Sequence, residues 1–163
     1  MPFSRRNFLS ASAAIAAAGV AGRAPAEPTA QAPRVGIGKA AQFVVGTPIA
    51  FSYPDQQSPA LAVRLSKATP YGVGPGNDIV AYSQLCVHKG CPVGYNAHQE
   101  SFVCTCHYSA YDAEKGGQLI IGHATTNLPR ILLSYDSNSD IVTANGVDGL
   151  IYGRVNDVPL HSS

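Results

Sequence analysis

Two stretches of the sequence decide the fold: Cys86-Val87-His88-Lys89-Gly90-Cys91-Pro92 and Cys104-Thr105-Cys106-His107-Tyr108-Ser109-Ala110-Tyr111-Asp112. Together they hold all four cysteines and two of the five histidines of the 163-residue chain. Each stretch contains one Cys–His pair at ligand spacing, Cys86-x-His88 and Cys104-x-x-His107, and one further cysteine. Two thiolates and two imidazoles can hold one tetrahedral zinc ion or the two irons of a 2Fe-2S cluster. The sequence therefore predicts a metal centre between two loops.

The two remaining cysteines, Cys91 and Cys106, bear on the choice of metal. In an exported protein, one extra cysteine on each loop is most economically explained as a disulfide that joins the loops. A zinc site needs no such link, and the usual zinc-finger spacing of Cys-x-x-Cys before His-x-x-x-His is absent from the sequence. A disulfide framework without metal leaves His88 and His107 unexplained. The residues therefore favour an iron–sulfur cluster over both alternatives.

Both stretches resemble the cluster-binding boxes of Rieske iron–sulfur proteins, Cys-x-His-x-Gly-Cys and Cys-x-Cys-His-x-Ser-x-Tyr. The resemblance implies a Rieske fold with one 2Fe-2S cluster and no catalytic residue on this chain. The implied ligands are Cys86 and Cys104 for the inner iron and His88 and His107 for the outer iron, the implied disulfide is Cys91–Cys106, and the implied hydrogen-bond donors that tune the potential are Ser109 and Tyr111.

Histidine ligation and hydroxyl donors both predict a comparatively high reduction potential. With neutral imidazoles, two ferric ions, two sulfides and two thiolates sum to zero charge, so an incoming electron meets less repulsion than in a four-thiolate cluster. The exchange of ligands raises the potential from about −400 mV into the range of about −150 to +300 mV. Hydroxyl donors to sulfur push it towards the upper part of that range because they stabilise the reduced, more negative cluster. These are the properties of an electron relay.

The first 26 residues are predicted to be a twin-arginine signal peptide. Arg5 and Arg6 precede sixteen uncharged residues at positions 7–22, and Ala24-Pro25-Ala26 offers a cleavage site. The uncharged run is too short and too rich in alanine to favour a permanent anchor. We therefore expect export of the folded protein to the periplasm, with residues 27–163 forming the Rieske 2Fe-2S domain.

Composition and turn spacing predict an all-β fold of antiparallel sheets. A formal net charge of +1 leaves no basic surplus for nucleic acid, and no glycine-rich phosphate loop is present. Residues 27–36 are rich in Pro and Ala and predict a tether. Short apolar runs bounded by turn residues predict strands at 42–45, 49–53, 61–65, 79–85, 101–104, 119–121, 131–135, 141–144 and 150–154. We expect a base of about 31–79 and 131–163 that carries a cluster-binding insertion at about 80–130.

Outside the boxes the chain resembles the small Rieske subunit of arsenite oxidase. The resemblance lies in Asn127-Leu128-Pro129-Arg130-Ile131, in the hairpin around 136–140, and in residues 146–154. It implies a large catalytic subunit with molybdopterin-bound molybdenum and a 3Fe-4S cluster, which oxidises arsenite to arsenate. This chain would then pass electrons one at a time to a periplasmic cytochrome c or a small copper protein, and membrane association would be allowed but not required.

Two other classes of Rieske protein stay open. The quinol-oxidising subunit of a cytochrome bc-type complex keeps the disulfide, the serine and the tyrosine, but it normally has a longer anchor, an apolar residue at the position of Lys89 and a Gly-Pro-Ala-Pro-type covering loop, where this chain has residues 122–129. A ferredoxin that feeds an oxygenase typically lacks the extra cysteines and the export signal. Lys89 and His123 are candidates for docking a partner, because they lie beside a ligand histidine and in the expected covering loop.

Overall fold

The computed structural model describes residues 32–157, so the predicted signal peptide and its cleavage site lie outside the described residues. Within that range the chain forms ten β-strands and one 3-10 turn at Ala40–Gln42. The strands are β1 (Val35–Lys39), β2 (Ile49–Ser52), β3 (Pro59–Arg64), β4 (Ile79–Ser83), β5 (Val93–Asn96), β6 (Ser101–Cys104), β7 (Ala110–Asp112), β8 (Gln118–Ile121), β9 (Arg130–Asp136) and β10 (Ile141–Asp148). The predicted all-β class is confirmed.

The strands form two antiparallel sheets. The base sheet has six strands in the order β1-β10-β9-β4-β3-β2, and the smaller sheet has four in the order β5-β6-β7-β8. All four strands of the smaller sheet lie between β4 and β9 in the chain, inside the 80–130 segment expected to bind the cluster. The chain therefore leaves the base sheet once, builds the smaller sheet, and returns.

The central strands β3 and β4 are buried on both faces because one face packs against the smaller sheet and the other packs with further strands of the base sheet. Successive side chains of a strand point to opposite faces. One set packs with Phe102 and Tyr111 of the smaller sheet and comprises Leu61, Val63, Val80 and Tyr82. The other set packs with Ile131 and Val142 of the base sheet and comprises Ala60, Ala62, Ile79 and Ala81. The Tyr82 hydroxyl also donates a 2.8 Å hydrogen bond to the carbonyl oxygen of Ala113, which ties the two sheets together.

Register in the smaller sheet brings three loops to one end. Val93 pairs with Cys104, Val103 pairs with Ala110, and Ala110 pairs with Ile121. The segment before β5, the segment between β6 and β7, and the segment after β8 therefore all emerge at the same edge. We name them the first ligand loop (84–92), the second ligand loop (105–109) and the covering loop (122–129).

Several predicted strands are wrong in detail. Residues 150–154 form a turn, because Gly149 and Gly153 adopt φ values of +104° and +82° that extended backbone does not allow. The run at 42–45 is not a strand, and its Val44 and Val45 are exposed. The expected tether ends earlier than predicted, since β1 begins at Val35 and pairs with β10. The short strands β5 and β7 were not predicted.

Candidate metal centre

The first ligand loop turns tightly between Cys86 and Cys91. The Cys86 N–H donates to the carbonyl oxygen of Cys91 at 2.8 Å, and the Gly90 N–H donates to the carbonyl oxygen of Cys86 at 2.7 Å. Gly90 has a φ of +71°, a conformation that other residues adopt only with strain. The turn places the Cys86 side chain inside, with 1% of its surface exposed, and leaves His88 half-buried and Lys89 exposed.

The second ligand loop begins at the end of β6. Cys104 is the last residue of that strand and is 1% exposed. Its N–H donates to the carbonyl oxygen of Ser109 at 2.9 Å, which closes the loop and turns His107 towards the surface. The rings of His107 and His88 meet there, with centroids 4.7 Å apart and an interplanar angle of 81°. The two Cys–His pairs therefore face each other with the sulfur atoms inside and the imidazoles outside.

A disulfide between Cys91 and Cys106 joins the two ligand loops. Cys86 and Cys104 are free thiols, as the predicted ligand set requires. The sulfur atoms of Cys91, Cys104 and Cys106 lie within 4.8 Å of one another. Those three sulfurs are not a metal-binding set, because two of them are bonded to each other. This group of sulfur atoms is instead the Cys91–Cys106 disulfide with the Cys104 thiol beside it.

Hydrogen bonds differ between the two buried thiols. Burial raises the pKa of Cys86, but the Tyr111 hydroxyl and the backbone N–H groups of His88 and Lys89 outweigh burial and lower the pKa below its ordinary value. Burial raises the pKa of Cys104, and backbone N–H bonds from Cys106 and His107 offset that only in part. Both sulfur atoms therefore accept backbone N–H groups from the residues two and three positions further along the chain, an arrangement that stabilises a thiolate bound to iron.

A chain of hydroxyl groups lies behind Cys86. The Tyr111 hydroxyl is 3.2 Å from the Cys86 sulfur, and the Ser109 hydroxyl hydrogen-bonds to Tyr111. The Ser109 oxygen accepts the backbone N–H of Ala124 at 3.1 Å. Both Ser109 and Tyr111 are completely buried, and burial together with the Cys86 sulfur raises the pKa of Tyr111. Tyr111 therefore stays protonated and can donate to a cysteine thiolate.

The donor set fits a cluster with histidine ligands on its outer iron. The Nδ1 atom of His88 is buried and has no hydrogen-bond partner among the described residues, as expected of an atom reserved for a metal. Burial and the nearby His107, Lys89 and His123 lower the pKa of His88. The neutral imidazole is thus favoured, and this is the form that binds iron. Cys86, Cys104, His88 and His107 are the residues that would hold the cluster.

The covering loop brings a third imidazole to the pair. His123 stacks on His88 with ring centroids 5.7 Å apart and lies 6.1 Å from His107. Gly122 allows the covering loop to lie this close to the second ligand loop, since a Cβ at Gly122 would be 2.3 Å from the Cα of Ser109. Both docking candidates, His123 and Lys89, are therefore exposed beside the predicted outer-iron ligands. Their docking role stays a prediction.

Sequence reasoning missed three further residues at this edge. Tyr108 and Ile121 are 74% and 67% exposed and border the histidines in sequence and register. Ala124 contributes only its backbone N–H, to Ser109. Neither exposed apolar side chains nor backbone donors leave a recognisable pattern in a single sequence, so no signal identified them.

Substituting Tyr111 by Phe is expected to lower the reduction potential of the cluster. With Cys86 bound as a thiolate, the hydroxyl would donate to its sulfur, and this bond would strengthen when the cluster takes up an electron. If the bond stabilises the reduced state by about 1.4 kcal/mol more than the oxidised state, its removal lowers the reduction potential by about 60 mV, a tenfold change in a one-electron equilibrium. A redox titration followed by the 2Fe-2S absorbance measures the shift.

Tyr82→Phe provides the matched control for that titration. Tyr82 is also a completely buried tyrosine with a hydrogen-bonded hydroxyl, but its partner is the Ala113 carbonyl oxygen. This control should lose stability without moving the potential. An unchanged potential in Tyr111→Phe, or an equal shift in both variants, would contradict the tuning role.

Comparison with known proteins agrees with this geometry. The protein-family model described as the Rieske [2Fe-2S] domain matches residues 36–132. The iodate reductase subunit IdrB of Denitromonas iodatirespirans is 40% identical over 157 residues, which cover 92% of this chain and 84% of that protein. The cytochrome bc1 complex Rieske iron–sulfur subunit of Corynebacterium diphtheriae is 37% identical over 68 residues, which cover 41% of this chain and 17% of that protein.

Among solved structures, the soluble domain of the Rieske protein II (soxF) from Sulfolobus acidocaldarius superimposes with a TM-score of 0.67 at 26% identity. The match covers 76% of this chain and 82% of that one. The family match spans more than half of the chain and includes both ligand loops. The chain therefore belongs to the Rieske [2Fe-2S] family and carries one Rieske-type 2Fe-2S cluster for electron transfer.

Proposed function

We propose that this chain is the electron-transfer subunit of an exported molybdenum oxidoreductase that acts on an oxyanion, with iodate reductase as the favoured enzyme. The observation that carries the proposal is the 40% identity to an iodate reductase subunit over 92% of this chain and 84% of that subunit. This similarity extends beyond the ligand loops into both sheets. Similarity confined to cluster binding would stop at those loops.

The chain's own residues would bind the cluster and orient it towards a partner. When bound, the cluster takes up and releases one electron at a time. Cys86 and Cys104 would hold it from the buried side, while His88 and His107 would hold it from the surface, where a partner can approach. The Cys91–Cys106 disulfide ties the two ligand loops together. We expect loops joined in this way to change little between redox states, which would keep the reorganisation energy of electron transfer low.

Arsenite oxidase is the second candidate, supported by the sequence motifs around 127–131, 136–140 and 146–154. In the structure these motifs make contacts that hold the fold together. The Asn127 side chain accepts the N–H of Leu119, the Asp136 carboxylate accepts the N–H of Asn138, and Arg154 pairs with Asp55. Because these residues stabilise turns and the packing of the C-terminal segment, they favour this type of Rieske subunit without selecting a substrate. The large subunit would bind the oxyanion in either case.

A quinol-oxidising role has weaker support. The similarity to the bc1 Rieske subunit covers 41% of this chain. Lys89 is exposed beside His88, and a lysine is costly to bury in a quinone pocket without a counter-charge.

Among residues 32–157, no helix is long and apolar enough to cross a membrane. Periplasmic localisation is part of our proposal and is supported by the twin arginines at positions 5 and 6.

The proposal is tested on the complex that co-purifies with this chain from its native source. We expect molybdenum in an amount equal to the chain and more than two iron atoms per chain. Added iodate should then reoxidise the pre-reduced 2Fe-2S cluster, whereas arsenite should reduce the oxidised cluster if the second candidate is correct. The isolated chain is the control and should respond to neither compound.

The outcomes of this experiment distinguish the candidate enzymes. Turnover with iodate alone supports the favoured enzyme, and turnover with arsenite alone replaces it by the second candidate. A b-type haem without molybdenum overturns both and leaves a quinol-oxidising complex. A molybdenum complex that responds to neither compound rejects both substrates. A periplasmic cytochrome c or small copper protein is the proposed electron-transfer partner on the other side.

A further inference from the structure

The chain after β10 makes a tight turn that reaches the first ligand loop. This C-terminal turn consists of residues 151–154. Its first residue, Ile151, is buried in the base core, and its N–H donates to the Asp157 carboxylate at 3.1 Å. The Arg154 N–H donates back to the carbonyl oxygen of Ile151 at 3.2 Å. The turn is therefore closed by its own hydrogen bonds.

The base sheet holds the C-terminal turn through Arg154. The guanidinium group pairs with the Asp55 carboxylate at 2.6 Å and donates to the Ser58 hydroxyl at 3.0 Å. Both partners lie in the segment that connects β2 and β3. The Arg154 side chain is 15% exposed and the Asp55 side chain 32%, so the guanidinium group is mostly shielded from solvent. A side chain between Ile151 and Arg154 is thus held in a defined place relative to the base sheet.

Tyr152 occupies that place, and its ring lies on Gly90 of the first ligand loop. A Cβ added to Gly90 would be 2.5 Å from both Cδ1 and Cε1 of the ring, so the ring rests directly on the glycine backbone. Gly90 lies two residues after His88 and just before Cys91. The Gly90 N–H closes the turn onto the Cys86 carbonyl oxygen. The contact therefore acts on the turn that carries two predicted cluster ligands.

We propose that Tyr152 is a positioning residue for the cluster, because its ring holds the first ligand loop in the shape in which the N–H groups of His88 and Lys89 face the Cys86 sulfur. Those N–H groups already hydrogen-bond to Cys86 in the structure. Donors to a ligand sulfur stabilise the reduced, more negative cluster. Gly90 has no side chain of its own, so its backbone is freer to relax than that of any other residue in the turn. Without the ring, the turn loosens and the N–H···S bonds weaken.

Tyr152→Ala is expected to lower the reduction potential and to speed the loss of the cluster. We expect bleaching of the 2Fe-2S absorbance in the presence of an iron chelator to become on the order of tenfold faster, the size of effect typical of residues that orient metal ligands. Tyr152→Phe keeps the ring and should restore both the potential and the bleaching rate of the unmodified protein. Neither readout depends on the activity of the complex or on the identity of its large subunit.

Tyr71→Ala is the matched control for these measurements. Tyr71 is as exposed as Tyr152, at 41%, and its ring also rests on a glycine, since a Cβ added to Gly116 would lie 3.1 Å from the ring. Gly116 is not in a ligand loop. This variant should lose comparable stability in urea without shifting the potential. Equal shifts in both alanine variants, or an unchanged potential and bleaching rate in Tyr152→Ala, would overturn the proposal.

A double-mutant cycle with Gly90→Ala tests the contact itself. The added methyl group clashes with the Tyr152 ring in the unmodified background, and the three ring atoms nearest to it are absent when Tyr152 is alanine. The strain of the positive φ at position 90 is common to both backgrounds. We therefore expect Gly90→Ala to accelerate bleaching more in the presence of Tyr152 than in its absence. Strictly additive effects would show that the ring does not act through this turn.

Discussion

Substituting either His88 or His107 by alanine is expected to abolish the Rieske-type cluster, whereas substituting His123 is expected to leave it in place. All three imidazoles lie together, with centroid separations of 4.7, 5.7 and 6.1 Å. Of the three, only His88 and His107 lie within three residues of a buried free cysteine, Cys86 and Cys104 respectively. Without one of these imidazoles, water would take its place on the outer iron, and the cluster would be rapidly lost.

The experiment compares iron content and the electron paramagnetic resonance spectrum of the reduced protein. His88→Ala and His107→Ala should contain less than about a tenth of the normal iron, the scale of affinity loss expected for a missing ligand or its support. His123→Ala should keep the iron and the characteristic spectrum. His98→Ala is a second control, because His98 is exposed in the β5–β6 turn. Retention of a Rieske spectrum in His107→Ala, or its loss in His123→Ala, would refute the ligand assignment.

Removing one disulfide cysteine is expected to be more harmful than removing both. Cys91→Ser breaks the link between the ligand loops and leaves the Cys106 thiol within 4.8 Å of the Cys104 sulfur. Under oxidising conditions those two thiols can form a disulfide with each other, and Cys104 then no longer binds iron. The double variant Cys91→Ser/Cys106→Ser loses the same link but offers Cys104 no partner.

Both variants should lose about 2–5 kcal/mol of unfolding free energy, the usual effect of removing a native disulfide from a small exported domain. The single variant should in addition lose most of its cluster in air, and it should yield a peptide that carries a Cys104–Cys106 bond. Cluster content after purification with and without reductant, combined with mass-spectrometric mapping of disulfides, measures both effects. Equal cluster content in the single and double variants would show that Cys104 does not exchange. An unchanged cluster and potential in both would show that the disulfide neither supports nor tunes the site.

The ligand loops could be predicted from the sequence because their chemistry is local. Cys86 and His88 are two residues apart, and Cys104 and His107 three, so each pair needs only one tight turn to point at a common metal. The central strands were also predictable. Short, mostly apolar runs such as 61–65 and 79–85, bounded by turn residues, are typical of strands in a sheet that is covered on both faces.

Prediction failed where a segment's conformation depends on its neighbours. β1 contains two glycines in five residues and has no strong preference for extended backbone, but pairing with β10 makes it a strand. Residues 150–154 have the apolar content of a strand, yet the glycines at 149 and 153 and the Arg154–Asp55 ion pair make them a turn. β7 has only three residues and is recognised by its register with β6 and β8.

The amino-acid sequence by itself determined the chemistry of this protein: two thiolates and two imidazoles at short spacing, with two further cysteines. The tertiary structure decided what surrounds that chemistry. It brought His123 of the covering loop onto His88, the Tyr111 hydroxyl to 3.2 Å from Cys86, and the ring of Tyr152 onto Gly90. The partners in these contacts are 25 to 62 residues apart in the chain. Contacts of that span arise from sheet register and layer packing, which local residue preferences do not encode.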